Sequence, residues 1–451
     1  IYKQLFVNNQ FTSTRYAPVE EAGKVLIIAA DEFAGAVTPL RDWRLKSGFN
    51  TELFTISQIA RNSEEKISAQ EIYAFIQSRY NMGNLGYIIL VGDSDKVPTL
   101  VGTKEGADSD PCFTKLAGDD HVPDCFISRI SAETVADVEN QVARFIGYER
   151  NPFSGADAAW YEKSTGIASN EGSPSDGDRA DWLRELLIDY GYSTVDRIYD
   201  PRASKAKLAK AINQGRSSIN YIGHGSRTTW VTTRFSNRDV DKLTNTWKLP
   251  VIWSVACVNG DFTSRYGDCF AERWMKAGTA DAPTGAIGIF AASTNAEWVP
   301  PCDMQFETVK LTVEETMSTC GGLATNGVLK AMEIWGTSSG SSGVMLMEQY
   351  NFFGDVSLTV RSKKARSIDL DAQLVGRQLS IKVTSDGQSV KGARVTIYNA
   401  DLSGWQSLSS NSEGIAMYTI SRNEAMTKLF TVTGLNLVPQ VDVPLESLLA
   451  E

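Results

Sequence analysis

One cysteine and one histidine stand out because each comes directly after a short apolar segment. Cys257 ends the apolar run 251–256, and His224 follows the run 218–222 with a glycine on either side. A thiol becomes a nucleophile when an imidazolium and backbone amides favour its thiolate. In open α/β sheets, ligands bind at the carboxyl ends of strands. The two positions therefore predict a Cys/His dyad for covalent catalysis.

Each residue alone also has a structural explanation. His224 can be a histidine in a tight turn, and Cys257 can be a small apolar residue at the end of a buried strand, because free cysteines are often buried. We expect the two runs to form adjacent parallel strands joined by a single helical crossover, which places both side chains at one edge of the sheet. Taken together, the two residues favour the dyad over two separate structural roles.

The remaining histidines and cysteines narrow the chemistry further. The chain has two histidines, His121 and His224, which excludes a histidine-rich metalloenzyme. Its six cysteines lack the Cys-x-x-Cys spacing of a structural zinc site or a thioredoxin-type motif. Cys112 and Cys125 flank a turn-rich loop and are our candidate disulfide for an oxidising compartment, with two buried thiols as the alternative.

Short apolar runs that alternate with helical periodicity predict an α/β fold with mostly parallel sheets. In the first part we predict strands at 25–30, 87–91 and 125–130. A capping box of Ser68 and Glu71 predicts the start of one helix, and the spacing of apolar residues over 135–146 predicts another.

A second α/β series begins near residue 165, and we expect it to form a doubly wound unit with its own sheet. The predicted strands are 166–169, 194–199, 218–222, 251–256, 285–291 and, after a turn at 353–355, 357–361; the predicted helices are 178–190, 203–213 and one from about 269.

The last part changes to short alternating segments with frequent turn signals, which predicts an immunoglobulin-like β-sandwich. Its predicted strands are 378–383, 394–398, 417–420 and 429–432. A chain of 451 residues is too long for one ordinary core. We predict domains at 1–164, 165–362 and 363–451.

Charge and hydropathy exclude two classes of partner. The chain carries 44 basic and 54 acidic residues, for a net charge of -10, and it has no basic stripe, so nucleic acid is not expected. No apolar run approaches the roughly 18 to 20 residues of a membrane helix, so we do not expect a membrane-spanning protein. The chain opens with Ile1 and no signal-like segment, so we expect a processed form, which suits a zymogen.

Two blocks carry a resemblance to a known family. The segments 221–226 (YIGHGS) and 255–262 (VACVNGDF) resemble the gingipain family of cysteine peptidases, and the similarity extends through 16–21, 90–93 and 353–355 to the sandwich. The resemblance implies two caspase-like doubly wound subdomains followed by an immunoglobulin-like sandwich. It also implies a secreted or cell-surface endopeptidase that acts on protein or peptide substrates.

The resemblance assigns catalytic roles. Cys257 would form a thioester with the substrate, and His224 would protonate the leaving amine. The amides of Gly225 and Cys257 would form the oxyanion hole. Glu171 matches the family's acidic partner of the histidine and would orient His224; otherwise it is a solvated loop carboxylate.

The same resemblance implies a substrate pocket for arginine. Asp176 matches the acid at the base of the family's arginine pocket, where a carboxylate pairs bidentately with a guanidinium. Asp178 and Asp181 are close alternatives, and a carboxylate at a helix N-terminus is the structural explanation. Trp298 matches a tryptophan that covers the substrate's aliphatic stem; otherwise it is an aromatic residue at the rim. Cys302 replaces a family methionine, and this shorter side chain would admit lysine as well as arginine.

A calcium site is also implied. Its ligands would be the side chains of Asp93, Asp120 and Asp124 with the carbonyls of Ala117 and Val122. The alternative is an acidic surface turn. A second family calcium site is not matched, because Pro174 and Arg179 replace its ligands.

Two other functions fit the same residues. One is a sortase-like transpeptidase of the same fold, which would resolve the thioester with an amine instead of water. The other is a secreted adhesion or binding protein whose dyad does no chemistry.

Overall fold

Ten strands form one mostly parallel sheet, which runs through the whole α/β part of the chain. The structure is a computed structural model that describes residues 16–60 and 66–449. The strands of the α/β part are β1 Lys24–Ala29, β2 Thr51–Thr55, β3 Leu85–Val91, β4 Leu100–Val101, β5 Asp108–Ser109, β6 Phe126–Ile130, β7 Lys163–Ala168, β8 Thr194–Tyr199, β9 Ser218–Ile222, β10 Gly225–Ser226, β11 Thr229–Trp230, β12 Phe235–Ser236, β13 Val251–Val255, β14 Gly288–Ala292 and β15 Tyr350–Gly354.

Within the described ranges, eleven α-helices lie in the α/β part, and two more contribute Ala425 and Leu445 to the separate core of the C-terminal part. They are α1 Ala34–Lys46, α2 Ile56–Ile59, α3 Ala69–Asn81, α4 Val135–Arg150, α5 Asp176–Tyr190, α6 Lys205–Gln214, α7 Asn237–Val240, α8 Phe270–Lys276, α9 Pro300–Val313, α10 Cys320–Trp335, α11 Ser342–Gln349, α12 Arg422–Ala425 and α13 Leu445–Leu449. The predicted capping box of Ser68 and Glu71 starts α3, and Ser175 caps α5 in the same way with Asp178. These caps satisfy amides that a helix start otherwise leaves without partners.

The order of strands in the sheet is β2-β1-β3-β6-β15-β14-β13-β9-β7-β8. Strand β15 pairs antiparallel with β14 and parallel with β6, so the two halves of the sheet run in opposite directions. The carboxyl ends of β7, β9 and β13 therefore share one edge. The carboxyl ends of β3 and β6 lie at the opposite edge.

The predicted fold class, a mixed α/β chain with a mostly parallel sheet, is confirmed. The expectation that the second α/β series has its own sheet is wrong, because β15 joins both halves into one sheet with a shared core. The predicted turn at 353–355 and strand at 357–361 are also wrong. The strand lies earlier, at Tyr350–Gly354, where all five residues are buried.

The connection from β9 to β13 differs from the single helix that we predicted. It contains the three-stranded antiparallel sheet β10-β11-β12 and the four-residue helix α7. Aromatic and threonine residues around β11 favour extended structure over a helix.

The C-terminal part contains two four-stranded sheets that enclose their own apolar core. Its strands are β16 Asp369–Val375, β17 Gln378–Ser385, β18 Gln388–Ser389, β19 Arg394–Tyr398, β20 Gln406–Ser409, β21 Ile415–Thr419, β22 Leu429–Thr433 and β23 Gln440–Pro444. The antiparallel pairing and the alternation of buried and exposed residues in β17 are consistent with the predicted immunoglobulin-like sandwich.

The predicted disulfide is absent. Cys112 and Cys125 are both free, buried thiols, and burial raises the pKa of each. Their burial in the apolar interior supports the alternative that we left open. None of the helices in the described ranges is long and apolar enough to cross a membrane.

Candidate active site

Cys257 and His224 lie level with each other at one edge of the sheet. Strands β9 and β13 are neighbours and parallel, with Ile222 beside Val255, and each functional residue comes two positions after its strand's end. The two loops are in contact. A Cβ atom on Gly225 would lie 2.3 Å from the carbonyl oxygen of Cys257, so this approach requires glycine.

The turn after Cys257 presents its thiol to the cleft. Val258 has a φ of 50°, a left-handed conformation that is strained for a β-branched residue. Its N–H donates to the carbonyl of Thr294 at 3.1 Å, which fixes the turn against the next loop. Cys257 is partly exposed, whereas the other five cysteines are buried. It is therefore the cysteine that a substrate can reach.

Glu171 contacts the imidazole of His224. The His224 Nε2 atom lies 3.1 Å and 3.2 Å from the two carboxylate oxygens of Glu171, which follows β7. The side chains are 52% and 50% exposed, so solvent screens the pair and its energy is about 0 to 1 kcal/mol. Its main effect is to orient the ring. The ring of Trp298 stands edge-on to the imidazole, with 4.9 Å between centroids.

The N–H group of Gly225 makes no hydrogen bond within the β10–β11 hairpin, so it can donate to a group in the cleft. Val231 N–H donates to the carbonyl of His224, so these two residues form a hydrogen-bonded pair of the β10–β11 hairpin. Paired residues in an antiparallel ladder alternate between bonded and non-bonded. The next pair, Gly225 and Trp230, therefore leaves the Gly225 N–H outside the hairpin's hydrogen bonds.

Asp176 is the carboxylate closest to Trp298 among the three acids that we predicted as alternatives. It is the first residue of α5 and is completely buried. The indole Nε1–H of Trp298 donates to its Oδ1 at 2.9 Å, and the hydroxyl of Ser169 donates to its Oδ2. Asp178 instead caps its own helix, and Asp181 binds Arg197 at 2.8 Å.

Residues 296–298 form the other wall of the cleft. The lining residues are Ile222, Gly223, Val255, Ala256, Cys257, Ala296, Glu297 and Trp298. The thiol of Cys302 donates to the carbonyl of Trp298 at 3.2 Å, and burial raises its pKa to about 12. Cys302 therefore stays a neutral thiol behind the cleft wall and does not compete as a nucleophile.

Comparison with known proteins places this site in a family. Residues 19–361 match the family described as Peptidase family C25. The chain belongs to this family. It is 35% identical to gingipain R2 of Porphyromonas gingivalis over 376 residues, which are 80% of this chain and 49% of that protein.

Further comparisons agree with this membership of family C25. The chain is 33% identical to gingipain R1 of Porphyromonas gingivalis over 452 aligned positions, 96% of this chain and 44% of that protein. The crystal structure of the Arg-specific cysteine proteinase gingipain R matches with a TM-score of 0.85 and 30% identity, covering 95% of this chain and 99% of that one. The chain spans about half the length of these curated relatives.

The five predicted calcium ligands do not come together in this C25 chain. Asp93 N–H donates to the carbonyl of Ala132, beyond the carboxyl end of β6, whereas Asp120 and Asp124 precede the start of β6. The four residue steps of β6 alone span about 13 Å at ~3.3 Å each. Within the described ranges, no three His, Cys, Asp or Glu side chains form a metal-binding group. The predicted ligand set is therefore not one site.

The carboxylates of the predicted set have other partners. Asp124 Oδ2 accepts the N–H groups of Leu116 and Ala117 at 2.8 Å and 2.7 Å, and Asp120 accepts that of Val122 at 2.8 Å. They order a turn in the way that an acidic surface turn does. The His121 Nδ1 atom lies 3.3 Å from Lys115 Nζ, away from the dyad.

Several residues around the dyad were not predicted from the sequence. The hydroxyl of Tyr221 donates to the carbonyl of His224 at 2.6 Å, and Asn259 joins the two catalytic loops. The only sequence signal was their place inside the two family-like blocks. Their contacts depend on pairing between distant segments, which a single sequence does not show.

Proposed function

We propose that this chain is a cysteine endopeptidase that cleaves protein or peptide substrates after basic residues, with arginine preferred. The proposal rests on one observation above the others. The loops that carry Cys257 and His224 meet at one sheet edge, with Glu171 on the imidazole and a cleft beside the thiol.

The first half of the reaction forms a thioester. Cys257 transfers its proton to His224, and the thiolate attacks the scissile carbonyl carbon. The negative oxygen that results faces the amides of Gly225 and Cys257. When this intermediate collapses, the carbon–nitrogen bond breaks and the imidazolium of His224 gives its proton to the leaving amine.

Water completes the cycle. His224, now neutral, takes a proton from a water molecule that attacks the thioester carbonyl. The carbon–sulfur bond then breaks, the carboxylic acid product leaves, and the thiol of Cys257 is restored. Glu171 keeps the ring oriented through both halves, which is the role of a third group in such triads.

Arginine specificity would come from Asp176. A guanidinium that enters beside Trp298 meets a buried carboxylate whose two oxygens each hold one donor already, from Trp298 and Ser169. Each oxygen retains a lone pair, so a bidentate guanidinium completes the set. Cys302, short and uncharged, leaves room for lysine as a weaker alternative.

The decisive test compares Cys257→Ala with Cys125→Ala, a change at a buried cysteine that directly precedes β6. Turnover of an arginyl peptide should disappear in Cys257→Ala and persist in Cys125→Ala. Circular dichroism should show that both variants are folded. Retained turnover in Cys257→Ala would refute the assignment. Adding a primary amine separates hydrolysis from transpeptidation, because a transpeptidase yields a product whose mass includes the amine.

Two further expectations remain proposals. We propose that the chain acts outside the cell or at the cell surface, supported by its membership of the gingipain family; fractionation of the producing cells tests this. We also propose that the Ala117–Asp124 turn binds calcium without Asp93, supported by the carboxylates of Asp120 and Asp124 in that turn. Calcium should then raise the melting temperature of the wild type and of Asp93→Asn, but not that of Asp120→Asn. Loss of this rise in both variants would contradict a site that includes Asp120 without Asp93.

A further inference from the structure

Asn259 lies two residues after Cys257, and its side chain is completely buried between the two catalytic loops. Its Oδ1 accepts a hydrogen bond from the hydroxyl of Ser254 at 2.9 Å. Its Nδ2 donates to the carbonyl of Ser226 at 2.6 Å and, more weakly, to that of Thr229 at 3.4 Å. One side chain therefore ties the nucleophile's turn both to its own strand and to the β10–β11 hairpin.

The orientation of this amide follows from its neighbours. The indole Nε1–H of Trp230 donates to the hydroxyl of Ser254 at 2.9 Å. An indole N–H can only donate, so the Ser254 hydroxyl accepts there and uses its own proton toward Asn259. The Oδ1 atom must face Ser254, which leaves the NH₂ group for the two carbonyls.

The same network reaches the histidine. The ring of Trp230 stacks on that of Tyr221, with 4.7 Å between centroids and 5° between planes. The hydroxyl of Tyr221 holds the carbonyl of His224 at 2.6 Å. A continuous chain of buried contacts therefore runs from Asn259 to the backbone of His224.

Asn259 lies where the loops approach most closely. A Cβ atom built on Gly225 would lie 2.3 Å from the carbonyl oxygen of Cys257 and 3.1 Å from Asn259 Nδ2. The amide of Gly225 and the thiol of Cys257 must act on the same substrate carbonyl. Their relative position depends on the contact between Gly225 and the carbonyl of Cys257, and the hydrogen bonds of Asn259 hold the two loops together beside that contact.

We propose that Asn259 is a positioning residue that holds the Cys257 turn against the His224 hairpin, so that thiol, imidazole and oxyanion hole share one geometry. This inference rests on the proposed peptidase function. Asn259 does not line the substrate cleft. Its loss should therefore slow the chemical step and leave substrate binding nearly unchanged.

The test uses Asn259→Asp and Asn259→Ala in the full chain, with an arginyl peptide substrate. In Asn259→Asp, a protonated carboxyl can donate to the carbonyl of Ser226, whereas a carboxylate faces that oxygen without a proton. As that carboxyl ionises, the kcat of Asn259→Asp should fall at least ~10-fold relative to wild type at the same pH. This loss should be smaller than the ~10²- to ~10³-fold loss that follows removal of an oxyanion-hole donor. KM should stay within ~3-fold. Asn259→Ala should lose kcat by a factor that does not vary with pH.

Asn326→Asp is the matched control. Asn326 is also completely buried and also joins distant segments, with Nδ2 donating to the carbonyl of Val19 at 3.1 Å and to that of Gly322 at 2.8 Å. It should lower the melting temperature without changing kcat or its pH profile. Equal kcat in the Asn259 and Asn326 variants, or a pH-independent kcat ratio in Asn259→Asp, would overturn the inference. An inactive wild type would instead count against the proposed function.

Discussion

Exchanging Asp176 for asparagine tests the substrate pocket with little change in shape. Asp176 is completely buried and holds hydrogen bonds from Trp298 and Ser169. The indole can only donate, so the new amide oxygen must face Trp298. The hydroxyl of Ser169 can turn round and accept from the new NH₂ group. The fold should therefore tolerate Asp176→Asn, and the charge alone is lost.

The magnitude follows from the burial of the pair. Removing one partner of a buried ion pair costs about 3 to 5 kcal/mol. At about 1.36 kcal/mol per tenfold change, kcat/KM for an arginine substrate should fall about 10²- to 10⁴-fold. Citrulline has nearly the shape of arginine but no charge, so its kcat/KM should change less than ~10-fold.

The assay measures kcat/KM for paired arginine and citrulline peptides in wild type, Asp176→Asn, Asp178→Asn and Asp181→Asn. The preference for arginine should collapse only in Asp176→Asn, because Asp178 caps a helix and Asp181 binds Arg197. If Asp176→Asn retains the preference and another variant loses it, our assignment of the pocket is wrong.

Three further changes test the site and the fold. Glu171→Gln should lower kcat/KM by less than ~10-fold, because solvent screens its exposed pair with His224. A loss above ~10³-fold would show that the carboxylate does more than orient the imidazole ring. Gly225→Ala should reduce kcat at least ~10²-fold, because its Cβ would collide with the backbone of Cys257, and unchanged kcat would contradict the close approach of the loops. Burial raises the pKa of Glu272 from 4.5 to about 7 despite the nearby Lys276. Its contribution to the free energy of unfolding is thus full below pH 4.5 and lost as pH rises through 7, and denaturant unfolding of Glu272→Gln should lack this decline.

Local patterns predicted the part of the site that depends on single strands. The strands at 194–199 and 218–222 match β8 and β9 residue for residue, because clear turns bound both segments. Four of the five residues of β9 are buried, as expected of a central parallel strand. The edge strand β8 buries only Val195 and Ile198. Since parallel strands align their carboxyl ends, the same reasoning placed Cys257 and His224 at one edge.

Long-range pairing explains what the sequence did not predict. Strand β15 connects the two halves of the sheet through residues more than 200 positions from β6, and nothing local marks that pairing. Asp93 follows β3 whereas the Ala117–Asp124 turn precedes β6, and because these two strands run parallel the residues lie at opposite ends of them, although resemblance alone had grouped them. The role of Asn259 has no local signal either, because the hairpin carbonyls that its amide contacts lie 33 and 30 residues away in the sequence.

The central claim is that Cys257 is the nucleophile of an arginine-directed peptidase, and labelling with an arginyl chloromethyl ketone followed by peptide mass mapping tests it most directly. Five of the six cysteines are buried. We predict one adduct per chain, on Cys257, formed in step with loss of activity and prevented by excess arginyl substrate. An adduct on a different residue, or activity that survives complete labelling of Cys257, would contradict the account.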